Sequence, residues 1–446
     1  MLLTRKKTKK RLSMFPTLNY LVNYLFGTHF TFNFPPTFGT LVAIAFLSAA
    51  WVLSRELKRK EGLGLLKPVQ RKIKVGEPAS ASDLLLNAVL GFVLGFKILG
   101  IILDREAFQV NPQGYLLSSQ GSLIGGLIVG ALAAYWKYYE KKKKQLPQPK
   151  EQIVLVRPYQ MVGNITLIAA LSGIIGAKIF HQLEYWDQFI QDPVGNLVSA
   201  SGLTFYGGLI GGFLGVWWYV RKNGFPLVHV ADAVAPGLIL AYGVGRIGCM
   251  LAGDGDWGII NSAYRITDDR KYEVVGPDAI REDLLQPVAG IPAYRAYGNS
   301  VQEARYAYFK KPAALAFLPN WMFAFDFPHN VNEEGVPLPG CQGQYCNHLP
   351  LPVFPTAFYE TLMGLLIFGI LWLLRKRIAV PGMIFSLYLV LNGLERFFIE
   401  KIRVNSVYHI AGIQITQAEM IALGLILVGI LGVIFTPRLK DKTVKL

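Results

Sequence analysis

Charged side chains are scarce in this sequence. They make up 17% of its 446 residues, while hydrophobic types reach 52%. A water-soluble domain has no use for so many long uncharged runs, so the composition points to a polytopic helical membrane protein. Cysteine is scarcer still, at three residues, which excludes a disulfide scaffold. Cys341 and Cys346, in CQGQYC, can form one disulfide if their segment faces an oxidising compartment. With His348 they fall short of a zinc ligand set. Acids are the minority charge, 29 against 45 Lys and Arg, for a formal net charge of +16. Chains this basic often bind nucleic acid. Here the basic residues gather in short loops between apolar runs, with no basic–aromatic binding module, so that partner is set aside.

What is present is a series of apolar runs. They fall at 38–54, 84–103, 122–136, 161–183, 205–220, 230–252, 356–374, 383–400 and 415–435. The expected fold is all-α and polytopic, with about nine transmembrane helices. Residues 1–37 form a basic tail and an interfacial amphipathic helix starting near Met14, and 38–253 carry helices one to six. Residues 254–353 form a mostly irregular extracytoplasmic segment, and 354–446 carry helices seven to nine and a tail. The aromatic run after the basic tail has no small-residue cleavage site, which argues against a signal peptide. Met14 serves as well as Met1 as a start. Basic loops follow runs one, three, five, seven and nine, so that side and the C-terminus are expected to be cytoplasmic. The segment 254–353 then lies outside. The basic residues 5–11 run against this orientation.

The chain also repeats itself. GFKILGIILDREAFQVNP at 95–112 matches GAKIFHQLEYWDQFIQDP at 176–193, and QGSLIGGLIVG at 120–130 matches YGGLIGGFLGV at 206–216. A two-helix hairpin is duplicated, 84–136 and 161–220, and each copy holds one intramembrane lysine, Lys97 or Lys178. Transporters are often built from repeats.

The stretch GVGRIGCMLAGDGDWG, 243–258, carries the strongest chemical signal. It sets Arg246 among glycines where a membrane helix meets the headgroups. An arginine there is costly unless it meets an anion or lines a wet cavity. Arg396 lies at matching depth in NGLERFFIEKIR, and Glu400 and Arg403 follow it on the same helix face. Two arginines can offer bidentate forks to a phosphate. The plainer alternative is that Arg246 pairs with Asp232 or Asp254, and Arg396 with Glu400, only to hold helices together. Tyr206, opening YGGLIGG, reads either as an interfacial belt tyrosine or as a proton acceptor beside arginines. Cys249 reads best as a small buried thiol.

Taken together, YGGLIGG, GRIGCMLAGDGDWG, FPTAFYE and RFFIEKIR resemble the prolipoprotein diacylglyceryl transferase family. The resemblance covers about 165–260 and 351–436. It implies a multi-pass enzyme of the bacterial inner membrane, working on the periplasmic side. Such an enzyme moves diacylglycerol from phosphatidylglycerol onto the lipobox cysteine of a prolipoprotein signal peptide, forming a thioether and releasing glycerol 1-phosphate. It implies Arg246 as the signature arginine, Arg396 as the essential arginine of the penultimate helix, and Glu400 and Arg403 as its partners. Tyr206, Arg246, Asp254 and Arg396 are then the catalytic candidates. Gly207, Gly208, Gly248, Cys249, Glu400 and Arg403, with the two arginines, line the substrate. No cofactor or metal is expected, and a monomer suffices. Departures from the family pattern fall at Asp254, where glutamate is usual, Cys249 (asparagine), Tyr206 (the proposed base histidine) and Phe38 (tyrosine). FPTAFYE also lacks the histidine that usually opens that motif, and one extra residue sits between Asp254 and Trp257. The family usually has seven spans, and the extra hairpin accounts for nine. The alternative class is a non-catalytic membrane protein that binds or transports anionic phospholipid.

Overall fold

The computed structural model describes residues 13–443 except 29, 31–34, 111, 200, 201, 203, 268, 406 and 411. The basic residues 5–11 lie outside this set. In hydrocarbon every backbone group must be satisfied within its own segment, which makes a long apolar run a helix. Nine helices of 18 residues or more appear among the described residues. They are α1 (Thr37–Gly62), α2 (Ala81–Leu103), α3 (Leu123–Lys143), α4 (Val162–Glu184), α5 (Phe205–Lys222), α6 (Leu227–Ala252), α7 (Thr356–Leu374), α8 (Met383–Glu400) and α9 (Gln417–Thr443). Each coincides with one expected run. By length and apolar content α1, α2, α4, α6, α7 and α9 can cross a membrane. The other three carry more charge: α3 ends in KYYEKKK, α5 in RK, and α8 holds Glu395, Arg396 and Glu400. The chain is an all-α polytopic membrane protein.

It folds as two compact units. One holds Ala50–Ala233; the other holds the described residues up to 30, Pro35–Ala49 and those from Val234 onward. In the first unit the duplication is structural. After α2 come two six-residue helices, Arg105–Val110 and Pro112–Leu117, then α3; after α4 come Trp186–Gln191 and Pro193–Val198, then α5. The short helices keep one constant offset. Both hairpins close through small residues, since a Cβ on Gly95 would lie 2.2 Å from Gly125 O and one on Gly176 would lie 2.3 Å from Gly207 O. Both lysines are used on the connecting segment. Lys97 Nζ donates to the carbonyls of Tyr115, Ser118 and Gln120 at 2.6–2.8 Å. Lys178 Nζ donates to Ser199 O at 2.8 Å and Oγ at 2.9 Å. Strands β1 (Val69–Val75) and β2 (Lys150–Val156) pair antiparallel on either side of the first hairpin.

In the second unit, the segment between α6 and α7 is built mainly of turns and two- or three-residue strands. Its core is aromatic and aliphatic: Trp257, Ile260, Phe325, Phe327, Leu349 and Val353 are buried together with Met250 of α6 and Ala357 of α7. Buried Asp326 accepts from Tyr272 Oη and Arg270 Nη2, both at 2.7 Å, and lies 3.2 Å from His348 Nδ1. Cys341 and Cys346 are disulfide-bonded. The N-terminal helix runs from Leu18 to Phe26, later than the expected start near Met14. Met14 and Phe15 precede it in non-helical chain, Met14 N donating to Pro328 O and Phe15 N to Leu251 O.

Candidate functional site

Helix α6 ends because Gly253 takes a left-handed backbone (φ 65), its N–H closing on Cys249 O at 2.9 Å. The last carbonyls of a helix have no partner within it. Here distant chain supplies them: Phe15 N reaches Leu251 O at 2.6 Å, and Val331 N reaches Ala252 O at 3.0 Å and Gly253 O at 3.2 Å. The turn that follows brings Asp254 and Asp256 back beside Arg246.

Three arginines converge on one buried acid, Glu360, which has no exposed surface. Arg246 Nε lies 3.1 Å from its Oε2. Arg403 Nη1 donates to its Oε1 at 3.0 Å, and Arg396 Nη1 lies 3.5 Å from the same oxygen. Asp256 forms a second bridge, accepting from Arg246 Nη1 and, at 2.5 Å, from Arg403 Nη2. Arg396 pairs with Glu400 at 3.0 Å, and Asn405 Nδ2 donates to the other Glu400 oxygen at 2.5 Å. Three elements are needed to assemble this cluster. Glu360 sits on α7, whose Thr356 Oγ1 donates to Asp256 O at 2.7 Å. Arg403 lies just past α8, where Ile259 N meets Ile402 O at 2.8 Å. Beneath Arg246, whose guanidinium lies 5.4 Å from the ring centre, is Tyr242, which donates to Glu395 at 3.1 Å.

The two aspartates are driven apart electrostatically. Burial pushes the Asp254 carboxyl above the usual carboxylate range, and the neighbouring Asp256 adds to this. Burial acts on Asp256 in the same direction, but Arg246 and Arg403 outweigh it and hold its carboxyl below that range. Paired acids with opposed shifts are a common basis for acid–base roles. Cys249 Sγ lies 3.6 Å from Arg246 Nη1, and Cys249, Asp254 and Asp256 present ligand atoms within 4.8 Å of one another. A cation could find three donors there. Two guanidinium groups already hold Asp256, however, which leaves less of its charge to a cation.

The structure therefore gathers Arg246, Cys249, Asp254, Arg396, Glu400 and Arg403 in one place. Gly248 lies just behind them, where an added Cβ would meet Leu41 at 3.0 Å and Phe38 at 3.4 Å. Tyr206, Gly207 and Gly208 belong to the other unit, at the start of α5. A Cβ on Gly207 would stand 2.5 Å from Gly176 O, so this glycine serves the α4–α5 contact. Sequence reasoning missed Glu360 and the bridging part played by Asp256. The available signal was an acid within the apolar run that follows FPTAF, which is a functional flag at membrane depth.

A family model described as prolipoprotein diacylglyceryl transferase matches residues 148–435, well over half of the chain and every arginine and acid of this cluster. The chain belongs to the prolipoprotein diacylglyceryl transferase family. Curated relatives named phosphatidylglycerol–prolipoprotein diacylglyceryl transferase agree. One from Dehalococcoides mccartyi is 25% identical over 63% of this chain and 78% of its own length. One from Corynebacterium efficiens is 27% identical over 65% and 70%. A Clostridium perfringens relative is 43% identical, but over only 29% of this chain and 46% of its own. The prolipoprotein diacylglyceryl transferase match begins after α3, leaving the first of the two hairpins outside it.

Proposed function

We propose that this protein transfers the diacylglyceryl group of phosphatidylglycerol to the cysteine of a prolipoprotein, as its relatives are named for doing. The observation that carries the reading is the convergence of Arg246, Arg396 and Arg403 on Glu360 and Asp256. Arg246 engages Glu360 through Nε and Asp256 through Nη1, which holds its guanidinium in place at the centre of the cluster. Arg246 and Arg396 clamp the lipid phosphate and stabilise the charge that grows on it. The incoming cysteine thiolate attacks the glycerol carbon that bears the phosphate ester. A C–S bond forms, the C–O bond breaks, and its electron pair leaves with glycerol 1-phosphate. The thiol proton passes to Asp254, whose raised affinity suits an acceptor. Holding both substrates in one leaflet provides much of the rate.

The segment 254–353 faces the periplasm and the C-terminus faces the cytoplasm in this reading, with the enzyme acting as a monomer in the bacterial inner membrane. The Cys341–Cys346 bond suits an oxidising compartment. The test is transfer from labelled phosphatidylglycerol to a lipobox peptide by the purified protein, beside Arg246→Ala, Arg396→Ala, Asp254→Asn and Tyr206→Phe. A thioether product lost in both arginine variants is the expected result, and the last two variants separate the candidate bases. Lipid binding without product from the wild type would point to a non-catalytic phospholipid binder.

A further inference from the structure

Residues 309–322 form a braced ridge on the segment between α6 and α7. Asn261 holds its start, Nδ2 donating to Phe309 O at 3.0 Å and Oδ1 accepting from Phe309 N at 3.2 Å. Lys311 N donates to Tyr264 Oη at 3.1 Å, and its ammonium turns inward onto Ala316 O (3.2 Å) and Leu318 O (2.6 Å). The far end is tied to the first turns of α7. Tyr359 Oη donates to Met322 O at 2.7 Å, and the Trp321 ring stands 5.2 Å from Phe358. The Phe309 ring lies 6.4 Å from Phe354, just before α7 begins.

What this bracing displays is apolar. Residues 312–319 read PAALAFLP without a charge, Pro312, Ala313, Ala314 and Ala316 are exposed, and Phe317 is 79% exposed. Phe309 is 45% exposed, and Lys310 beside it is exposed too. A rigid apolar ridge of this kind is unfavourable in water and marks a contact surface. Its anchor settles the level at which the contact is made. Phe358 and Tyr359 stand in the opening turns of a helix apolar enough to cross a membrane, so the ridge lies where that helix enters the headgroups. Aromatic rings with a lysine at their edge suit that layer, the rings reaching toward the chains and the ammonium toward phosphates.

We propose that residues 309–318 are an interfacial foot that seats in the headgroup layer of an anionic bilayer beside α7. Because Glu360 follows Tyr359 directly, seating the foot also fixes the acid that gathers the three arginines. The occupant is the lipid surface itself, and the apolar helix of a signal peptide is the competing one.

The full chain is reconstituted in phosphatidylcholine–phosphatidylglycerol bilayers with Phe317→Cys carrying an environment-sensitive fluorophore; the wild-type chain, whose free Cys249 is buried, reports background labelling. The expected result is strong quenching by lipids with a nitroxide near the headgroup, weak quenching by aqueous iodide, and no need for peptide. Free quenching by iodide overturns the proposal, and so does lipid protection that appears only once lipobox peptide is added. In a second measurement, Phe309→Ser with Phe317→Ser lowers transfer severalfold from bilayers and leaves transfer in detergent micelles unchanged. Equal losses in both media would mean that the ridge merely supports the fold.

Discussion

Glu360 is the residue on which the cluster depends, and it was the hardest to read. Arg246 and Arg396 stand out in the sequence through the glycines and acids around them, whereas Glu360 ends a motif, FPTAFYE, with no cation at helical spacing. Its partners come from two other places in the chain, Arg246 from α6 and Arg396 and Arg403 from α8 and the turn after it. Only the fold supplies such pairs, and the same holds for Tyr242 and Glu395. Removing one partner of a buried ion cluster typically costs about 3–5 kcal/mol, because the remaining charges stay buried. Glu360→Gln should therefore lower the melting temperature in detergent markedly and abolish transfer, while Glu360→Asp keeps part of both. Asp254 gives a second prediction. If it accepts the thiol proton it must be ionised, and its raised affinity keeps it protonated in mild acid. The transfer rate should then climb with pH through a range above the usual carboxylate values. In Asp254→Asn that acidic limb should disappear along with most of the rate.

Among the elements, the long helices were legible because a run of apolar residues in lipid has no other way to satisfy its backbone. The segment between α6 and α7 was not, since strands of two or three residues carry no periodicity. Its order comes from side chains that bind backbone. Asn330, fully buried, donates to Glu334 O at 2.9 Å and accepts from Glu334 N at 2.8 Å, and His329 Nδ1 lies 2.8 Å from Tyr345 O. The Cys341–Cys346 bond closes the same region. On chain-entropy grounds a loop this short gains about 2 kcal/mol from its disulfide. Cys341→Ser with Cys346→Ser should raise amide hydrogen exchange over residues 327–349 and leave the exchange of α7 and α8 unchanged. Unchanged exchange throughout would mean that Asn330 and its neighbours hold the region alone.

At the scale of the whole molecule the duplication was legible as a repeat, and the structure adds that the strands flanking the first copy pair with each other. Val75 is the partner of Lys150, so the chain leaves for the hairpin and returns at adjacent points. Excising residues 77–148 and joining the strands through a short Asn-Gly turn should give a protein that still inserts and still transfers lipid, assayed as for the intact chain. Loss of transfer in a well-folded deletion would assign the hairpin a part in the reaction. The supply of partners to the end of α6 has a further consequence, in the order of assembly. Phe15 must wait for Leu251, and Ala252 and Gly253 must wait for Val331, so the turn after α6 closes two long loops of chain. Loop closure of this span is entropically costly and slow. During synthesis the arginine helix will therefore be in place well before its turn is shaped. The cluster completes itself only after the segment between α6 and α7 has folded, and a nascent chain in the membrane lacks it until then.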